Sequence, residues 1–411
     1  MKFLDKIKKE LQPDLTVIKK VNDFVDSINK EIKKHNVKAV CVTGGSVAKN
    51  TFIKGDFDVD LFVKFNPKYN DISTLLGKIL KKFNPELVHG SRDYYQVKKE
   101  LNYEIVPVLD IKDPDKAENV TDMSPFHVDW VNKNLKKGQA DEIRLTKKFC
   151  KVINVYGAES YINGFSGHVV DILIIYYGSF LNLLKKSQKW QPKVIIDTEQ
   201  HYKNKRDVLF NMNQSKIKGP MIVVDPILKT RNAASALSYE KFVLFKNKAK
   251  EFLKKPSPKY FVEEKIGITS LRKKFKKNLF IITLRAKSGK KDVVGSKILK
   301  AYKFMRDELK KLGFDIKNSG WAWNNKYRVL YWFVFKDLEL PATKIIDGPP
   351  LDMKDHVQIF KKKYKKTFVK KDRLFAEVKA KYRTVEENIK EISKKDYFKE
   401  KIKLIKTEKY I

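Results

Sequence analysis

Near the N-terminus, Ile18, Val21, Val25, Ile28 and Ile32 follow one another at alternating steps of three and four, which puts them on one face of a helix that Pro13 can open. The period then changes. Ala39-Val40-Cys41-Val42 is a short apolar run, read as a buried strand, and it ends in Thr43-Gly44-Gly45-Ser46. After a short helical stretch, Asp58 to Phe65 reads as a second strand and Tyr103 to Leu109 as a third, so residues 1–140 make a compact α/β unit. From Asp141 to about Leu253 helical spacing dominates, including the apolar stretch His168 to Leu184. Lys254-Lys255-Pro256-Ser257-Pro258 has the composition of a linker, which separates a helical unit over 141–255 from a third unit over 256–411. In that third unit, Leu279–Leu284 and Tyr327–Phe335 read as strands. Ile298, Tyr302, Met305, Leu309 and Leu312 form a helix stripe stopped by Gly313.

A chain of 411 residues suits two to four domains, and 42% hydrophobic with 12% aromatic residues is enough for several cores. No run approaches the roughly 18 apolar residues of a membrane span, so no membrane association is expected. The opening Met1-Lys2-Phe3-Leu4-Asp5 lacks the features of a secretory signal. Only Cys41 and Cys150 are present, which argues against a disulfide framework or a thiolate metal site and fits a reduced, cytoplasmic protein. The net charge of +39 attracts polyanions. Because it is nearly all lysine spread along the whole chain, a general lysine bias explains it equally well. Runs such as Lys361-Lys362-Lys363 serve a solvated face or an RNA-facing one with equal ease. The charge permits a nucleic-acid partner without specifying one.

The chemistry concentrates between residues 44 and 60. On a strand, Asp58 and Asp60 point to the same face about 7 Å apart, while Val59 and Leu61 turn to the core. Paired carboxylates on an apolar strand repel unless a cation sits between them, and hard oxygen ligands suit Mg²⁺. The alternative is a merely solvated acidic face. Gly45-Ser46 shifts that balance: a glycine turn lets backbone N–H groups and a small hydroxyl approach a phosphate closely, and Lys49 follows one helical turn later. A phosphate cradle beside metal-binding carboxylates is what phosphoryl transfer needs.

Gly45-Ser46, eleven intervening residues and Asp58-x-Asp60 resemble the signature of the DNA polymerase β-like nucleotidyltransferase superfamily. Further stretches narrow the likeness. Ser124-Pro125-Phe126-His127, Glu142 to Lys147 running on to Tyr156-Gly157-Ala158-Glu159, Gly164-Phe165-Ser166-Gly167 and Tyr176 to Phe180 are similar to segments of archaeal-type (class I) CCA-adding enzymes. So are Val224-Asp225-Pro226 and Arg231-Asn232-Ala233-Ala234, and more weakly Gly348-Pro349-Pro350. The resemblance is specific over residues 44–240. It implies an α+β multidomain fold: a polymerase-β-like head of mixed sheet and helices, a helical neck, and a C-terminal α/β body with an inserted tail that binds RNA.

By the same resemblance, Asp58, Asp60 and Glu104 would hold two Mg²⁺ ions, with Mn²⁺ as the alternative, and Glu104 would help deprotonate the RNA 3′-hydroxyl. Gly45, Ser46, Lys49, Ser124, His127, Lys147 and Tyr156 would contact the triphosphate, and Arg231 would read the incoming base. The implied reaction is template-independent addition of CCA to the tRNA 3′ end from CTP and ATP, by a protein that is often a homodimer. The sequence departs from the family twice: Glu104 stands where aspartate is usual, and Arg92-Asp93-Tyr94-Tyr95-Gln96 lacks the expected Glu-His-Pro-Tyr run. Two other readings therefore stay open: a poly(A) polymerase-like or partial (CC-only or A-only) transferase, and a non-catalytic RNA-binding relative motivated by Glu104. Should Glu104 not serve, Asp110 is the next candidate for the third carboxylate.

Overall fold

The computed structural model describes every residue except Met1, Lys265, Lys381 and Ile411. The chain begins with α1 (Lys2–Leu11), whose Leu4, Ile7 and Leu11, spaced by three and four on one helix face, are buried. The amphipathic repeat that follows is α2 (Leu15–Lys34), opened by the Asp14 carboxylate accepting from the Thr16 N–H rather than by Pro13 alone. Next come β1 (Ala39–Thr43), the four-residue α3 (Gly45–Ala48), β2 (Val59–Phe65), α4 (Ile72–Leu80), β3 (Glu86–Val88), β4 (Tyr94–Lys98), β5 (Asn102–Leu109) and α5 (Ser124–Asn134). The sheet order is β1-β2-β5-β4-β3, with β2 and β5 parallel and the other pairs antiparallel. Side chains alternate as the pleat requires. Val59, Leu61, Val63 and Phe65 enter the core shared with α2 and α4, while Phe62 and Val108 pack with Val128 of α5 on the other face.

The middle of the chain is helical: α6 (Gln139–Val152), α7 (Gly167–Tyr177), α8 (Phe180–Ser187), β6 (Val194–Ile196), α9 (Lys205–Asn211), β7 (Met221–Val223) and α10 (Tyr239–Lys254). The apolar stretch from His168 to Leu184 is two helices rather than one. Gly178 takes a left-handed φ of +84° and the chain bends by 90° there. Among the described residues no single helix is long and apolar enough to cross a membrane. One core joins α6, α7, α8 and α10 and also takes in Leu4, Ile7 and Leu11 of α1 and Tyr260 and Phe261. Because those last two aromatics pack on Phe149, Phe180 and Phe252, the break between compact units falls after Glu264, beyond the expected Lys254–Pro258 linker.

The second unit, Lys265–Ile411, contains α11 (Ile268–Lys274), β8 (Leu279–Ala286), α12 (Lys291–Lys311), β9 (Ile316–Trp323) and β10 (Arg328–Phe335). There follow β11 (Thr343–Pro350), α13 (Lys354–Lys363), β12 (Thr367–Lys370), β13 (Arg373–Lys379), α14 (Val385–Lys394), α15 (Asp396–Lys399) and β14 (Ile402–Tyr410). Its main sheet has the order β14-β8-β10-β9. Phe280, Ile282 and Leu284 face α12 and α14, and the alternate Leu279 and Ile281 pack with Leu271 of α11. A separate three-stranded sheet, β11-β13-β12, is inserted with α13 between β10 and α14. This is the body-with-insert architecture expected from the resemblance. Two expected positions shift. Leu312 lies just past α12 and is exposed, and Tyr327 is exposed and precedes β10.

Candidate active site

The parallel pairing of β2 with β5 sets Asp60 directly opposite Glu104, and Asp58 immediately precedes β2. Burial, Glu104 and then Asp58 push the Asp60 carboxyl up to about 7, against the pull of Lys49 and Lys147. Gly45 closes over this carboxylate. Its φ is +52°, and a Cβ there would lie 1.7 Å from Asp60 Oδ2. The Gly44 N–H donates to the Asp60 carbonyl at 2.8 Å, so turn and strand are locked together. Across the sheet, Gln96 of β4 is in register with Glu104 and donates its amide to Oε1 at 2.8 Å. Tyr94 belongs to the same neighbourhood, since burial, Glu104, Asp60 and Asp58 together push its hydroxyl up to about 12.

Lys49 caps the C-terminal end of the one-turn helix α3, one turn after Gly45. Its ammonium, nearly buried, lies 2.5 Å from Asp171 Oδ2. Lys147 of α6 lies 3.3 Å from the other oxygen and donates to the Thr51 carbonyl and hydroxyl at 3.2 and 3.0 Å. Burial pulls Lys147 down to about 8 even though Asp171 pulls it back up. Burial alone would raise Asp171, but Lys147 and Lys49 outweigh it and hold the carboxyl below its usual range. Tyr156 stands next to this pair: a Cβ on Gly167 would meet its hydroxyl at 2.9 Å, so the glycine makes room for it. Burial and then Asp171 raise the Tyr156 hydroxyl.

His127 and Arg231 converge on a residue to which the sequence motifs gave no role, Asp225. His127 Nε2 is 3.0 Å from both carboxylate oxygens, and the Arg231 guanidinium bonds Oδ2. The N–H groups of Ile227 and Leu228 donate to Oδ1 at 2.9 and 3.2 Å. Although burial opposes it, His127, Arg231 and His168 hold Asp225 below the usual carboxylate range. The His168 ring sits 4.2 Å from that of His127, and burial, then His127 and Lys49, drive it down to about 3. His127, His168 and Asp225 bring ligand-type atoms within 4.8 Å of one another. The lone pairs of Asp225 are already engaged, however, and the adjacent guanidinium repels a cation, so this trio reads as a neutralised network rather than a metal site.

The carboxylates of Asp58, Asp60 and Glu104 fit a divalent cation. They are hard oxygen donors, and Asp60 is raised first by burial and then by Glu104 and Asp58, both of which a bound cation would offset. Ser46 lies within α3, and its carbonyl accepts from the Thr51 N–H at 2.9 Å. Ser124 opens α5, whose Pro125 suits a first helical turn. Asp110 is exposed and paired with Lys64 at 2.7 Å, away from the trio. The segment that lacks the expected Glu-His-Pro-Tyr run takes its register from the pairing of β4 with β5, and Arg92 just before β4 forks onto the buried Asp122. Asp171, His168, Asp225 and Gln96 are not legible as site residues because each acts through a partner 8 to 122 positions away in sequence, Asp225 having in addition Arg231 six positions on.

A mixed sheet that sets Asp60 and Glu104 side by side under a glycine turn, with buried lysines close by, defines the protein as a nucleotidyltransferase. Residues 25–129 match the model of the nucleotidyltransferase domain, 141–262 the second domain of tRNA nucleotidyltransferase, and 276–403 the C-terminal domain of the CCA-adding enzyme. The chain belongs to the CCA-adding enzyme family. It is 36% identical over 337 residues to the CCA-adding enzyme of Nanoarchaeum equitans, covering 80% of this chain and 81% of that one. It is 30% identical over 390 residues to that of Methanocaldococcus jannaschii (91% and 85%), and 32% identical over 348 residues to that of Pyrococcus abyssi (81% and 76%). Among solved structures it is similar in fold to a cytoplasmic RNA terminal U-transferase, with a TM-score of 0.52 at 13% identity, covering 64% of this chain and 98% of that one. The Cid1 terminal uridylyl transferase is alike at TM-score 0.52 and 11% identity, covering 65% and 98%.

Proposed function

We propose that this protein adds CCA to the 3′ end of tRNA, using CTP and ATP and releasing pyrophosphate. The observation that carries the reading is the parallel register of Asp60 with Glu104 beneath Gly45, in a chain matched along most of its length by CCA-adding enzymes. Asp58, Asp60 and Glu104 would hold two Mg²⁺ ions, or Mn²⁺ in their place, which supply Lewis-acid stabilisation of the attacking and leaving oxygens. Glu104, steadied by Gln96, takes part in removing the proton of the RNA 3′-hydroxyl. Backbone groups at Gly45-Ser46 cradle the triphosphate, Lys49 and Lys147 offset its charge, and His127, Tyr156 and Ser124 contact it. Arg231, oriented by Asp225, reads the incoming base.

The basic C-terminal unit grips the acceptor arm by phosphates and shape. A division into a catalytic part (1–140), a helical part running from 141 to Glu264 and an RNA-binding part beyond it, a homodimeric assembly and a cytoplasmic location belong to the same reading. Limited proteolysis, light scattering and cell fractionation test them. The decisive experiment incubates the protein with tRNA lacking its last three nucleotides, Mg²⁺, and CTP and ATP singly or together, then sequences the 3′ ends. Complete CCA is expected. Homopolymeric tails, C-only or A-only ends would place it with partial or poly(A)-type transferases, and unextended ends would make it a non-catalytic relative.

A further inference from the structure

Asp171 is fully buried on α7, and nothing in the reaction outlined above uses it. Its two oxygens are divided between two ammonium groups that arrive from different parts of the chain. Lys49, from the end of α3, is 2.5 Å from Oδ2, and Lys147, from α6, is 3.3 Å from Oδ1. Both lysines pull on the Asp60 carboxyl against burial and Glu104. Two buried ammoniums this close repel each other and resist desolvation. Without a shared anion, at least one of them would give up its proton.

We propose that Asp171 is a positioning residue for the triphosphate-binding lysines: as their common buried counter-ion, it pairs with both ammonium groups and holds them in place before a nucleotide arrives. The inference rests on the reading that these lysines meet the nucleotide's phosphates. Lys147 is the sensitive partner, because burial already lowers it to about 8. The groups that face it are Asp171 of α7, Lys49 from α3, Lys151 of its own helix, Thr51, the Tyr156 hydroxyl across Gly167, and Asp60 of β2 at longer range. Of these, Asp171 contributes the strongest pull toward the charged form. Removing it leaves burial, Lys49 and Lys151 all acting to deprotonate Lys147.

The test measures equilibrium binding of CTP and, separately, of deacylated tRNA by the full-length protein from pH 6 to pH 9. The wild type should lose CTP affinity above about pH 8. In Asp171→Asn that loss should begin at least one pH unit lower, with roughly tenfold weaker CTP binding for each unit beyond the break, while tRNA affinity stays level. Adding Lys147→Arg to Asp171→Asn should flatten the profile, since arginine stays charged across this range. Coincident CTP profiles for Asp171→Asn and the wild type would overturn the proposal. If Asp171→Asn does not fold, Asp171→Glu serves instead. Keeping the charge on a longer arm, it should retain the wild-type break with several-fold weaker CTP binding, and unchanged affinity at every pH would likewise count against the idea. Lys147→Ala separates the two levels of argument. If it binds CTP as tightly as wild type, the assignment of Lys147 to the nucleotide fails. If it binds weakly while Asp171→Asn behaves as wild type, only the counter-ion role fails.

Discussion

Replacing Gly45 by alanine puts two costs on one atom. The left-handed φ of +52° penalises any Cβ by roughly 1–2 kcal/mol. The added methyl would also stand 1.7 Å from Asp60 Oδ2, 2.6 Å from its Cγ and 2.9 Å from its Cβ. Rotating the carboxylate does not relieve the last of these contacts, so either the turn or β2 must shift and Asp60 leaves its place. Losing a ligand near the reacting phosphate removes several kcal/mol of charge stabilisation, about a hundredfold or more in rate. The strain itself lowers the melting temperature by about 2–8 °C. Gly55 provides the control: its φ is +73° but nothing lies within 4 Å of where a methyl would stand, so Gly55→Ala should lose stability and keep its turnover. Single-turnover addition of labelled CMP to truncated tRNA, with calorimetry on both variants, decides the matter. If Gly45→Ala works within twofold of the wild type, the turn does not hold Asp60 and the reasoning fails.

Four further outcomes are expected. Asp60→Asn should abolish incorporation with tRNA affinity nearly unchanged. Because the folded carboxyl titrates near 7, above its unfolded value of 3.8, the metal-free wild type loses stability from this group as pH rises between those values, and the stability gap in favour of the Asn variant should widen from pH 5 to pH 8 in chelator melts. Glu104→Ala should cost several orders of magnitude in rate and Glu104→Asp little, while Gln96→Ala should cost about 10–100-fold, the worth of one hydrogen bond to a charged group; equal rates for Gln96→Ala and wild type would remove the positioning role. Arg92→Ala strands the buried Asp122 and should destabilise by about 3–5 kcal/mol in urea unfolding, with N–H donors from Leu109, Glu118 and Asn119 moderating the loss. Arg231→Ala should blunt discrimination of CTP from UTP more than it weakens tRNA binding, and unchanged fidelity with lower stability would make Arg231 structural.

Local patterns carry local facts. The three-four spacing of Ile18 to Ile32 was enough for α2, and the alternation around Asp58-Val59-Asp60 was enough to send Val59 and Leu61 inward and leave the carboxylates on the other face. Gly45-Ser46 and the acidic pair announced phosphoryl chemistry because that chemistry needs a tight turn and hard ligands within a few residues of each other. What depends on chain segments meeting was not legible. The register that pairs Asp60 with Glu104, and Gln96 with Glu104, follows from the order β1-β2-β5-β4-β3, which no single strand encodes. Helix α1 carries a three-four spacing of its own in Leu4, Ile7 and Leu11, but that this face buries against α6 and its neighbours, far along the chain, is a matter of packing. The engagement of Lys49 by Asp171, and of His127 and Arg231 by Asp225, arises because buried charges must find counter-charges wherever packing delivers them. Sequence by itself determined which residues have the chemistry to act. Tertiary packing decided which are desolvated and what each one faces, and so how strongly each holds its proton.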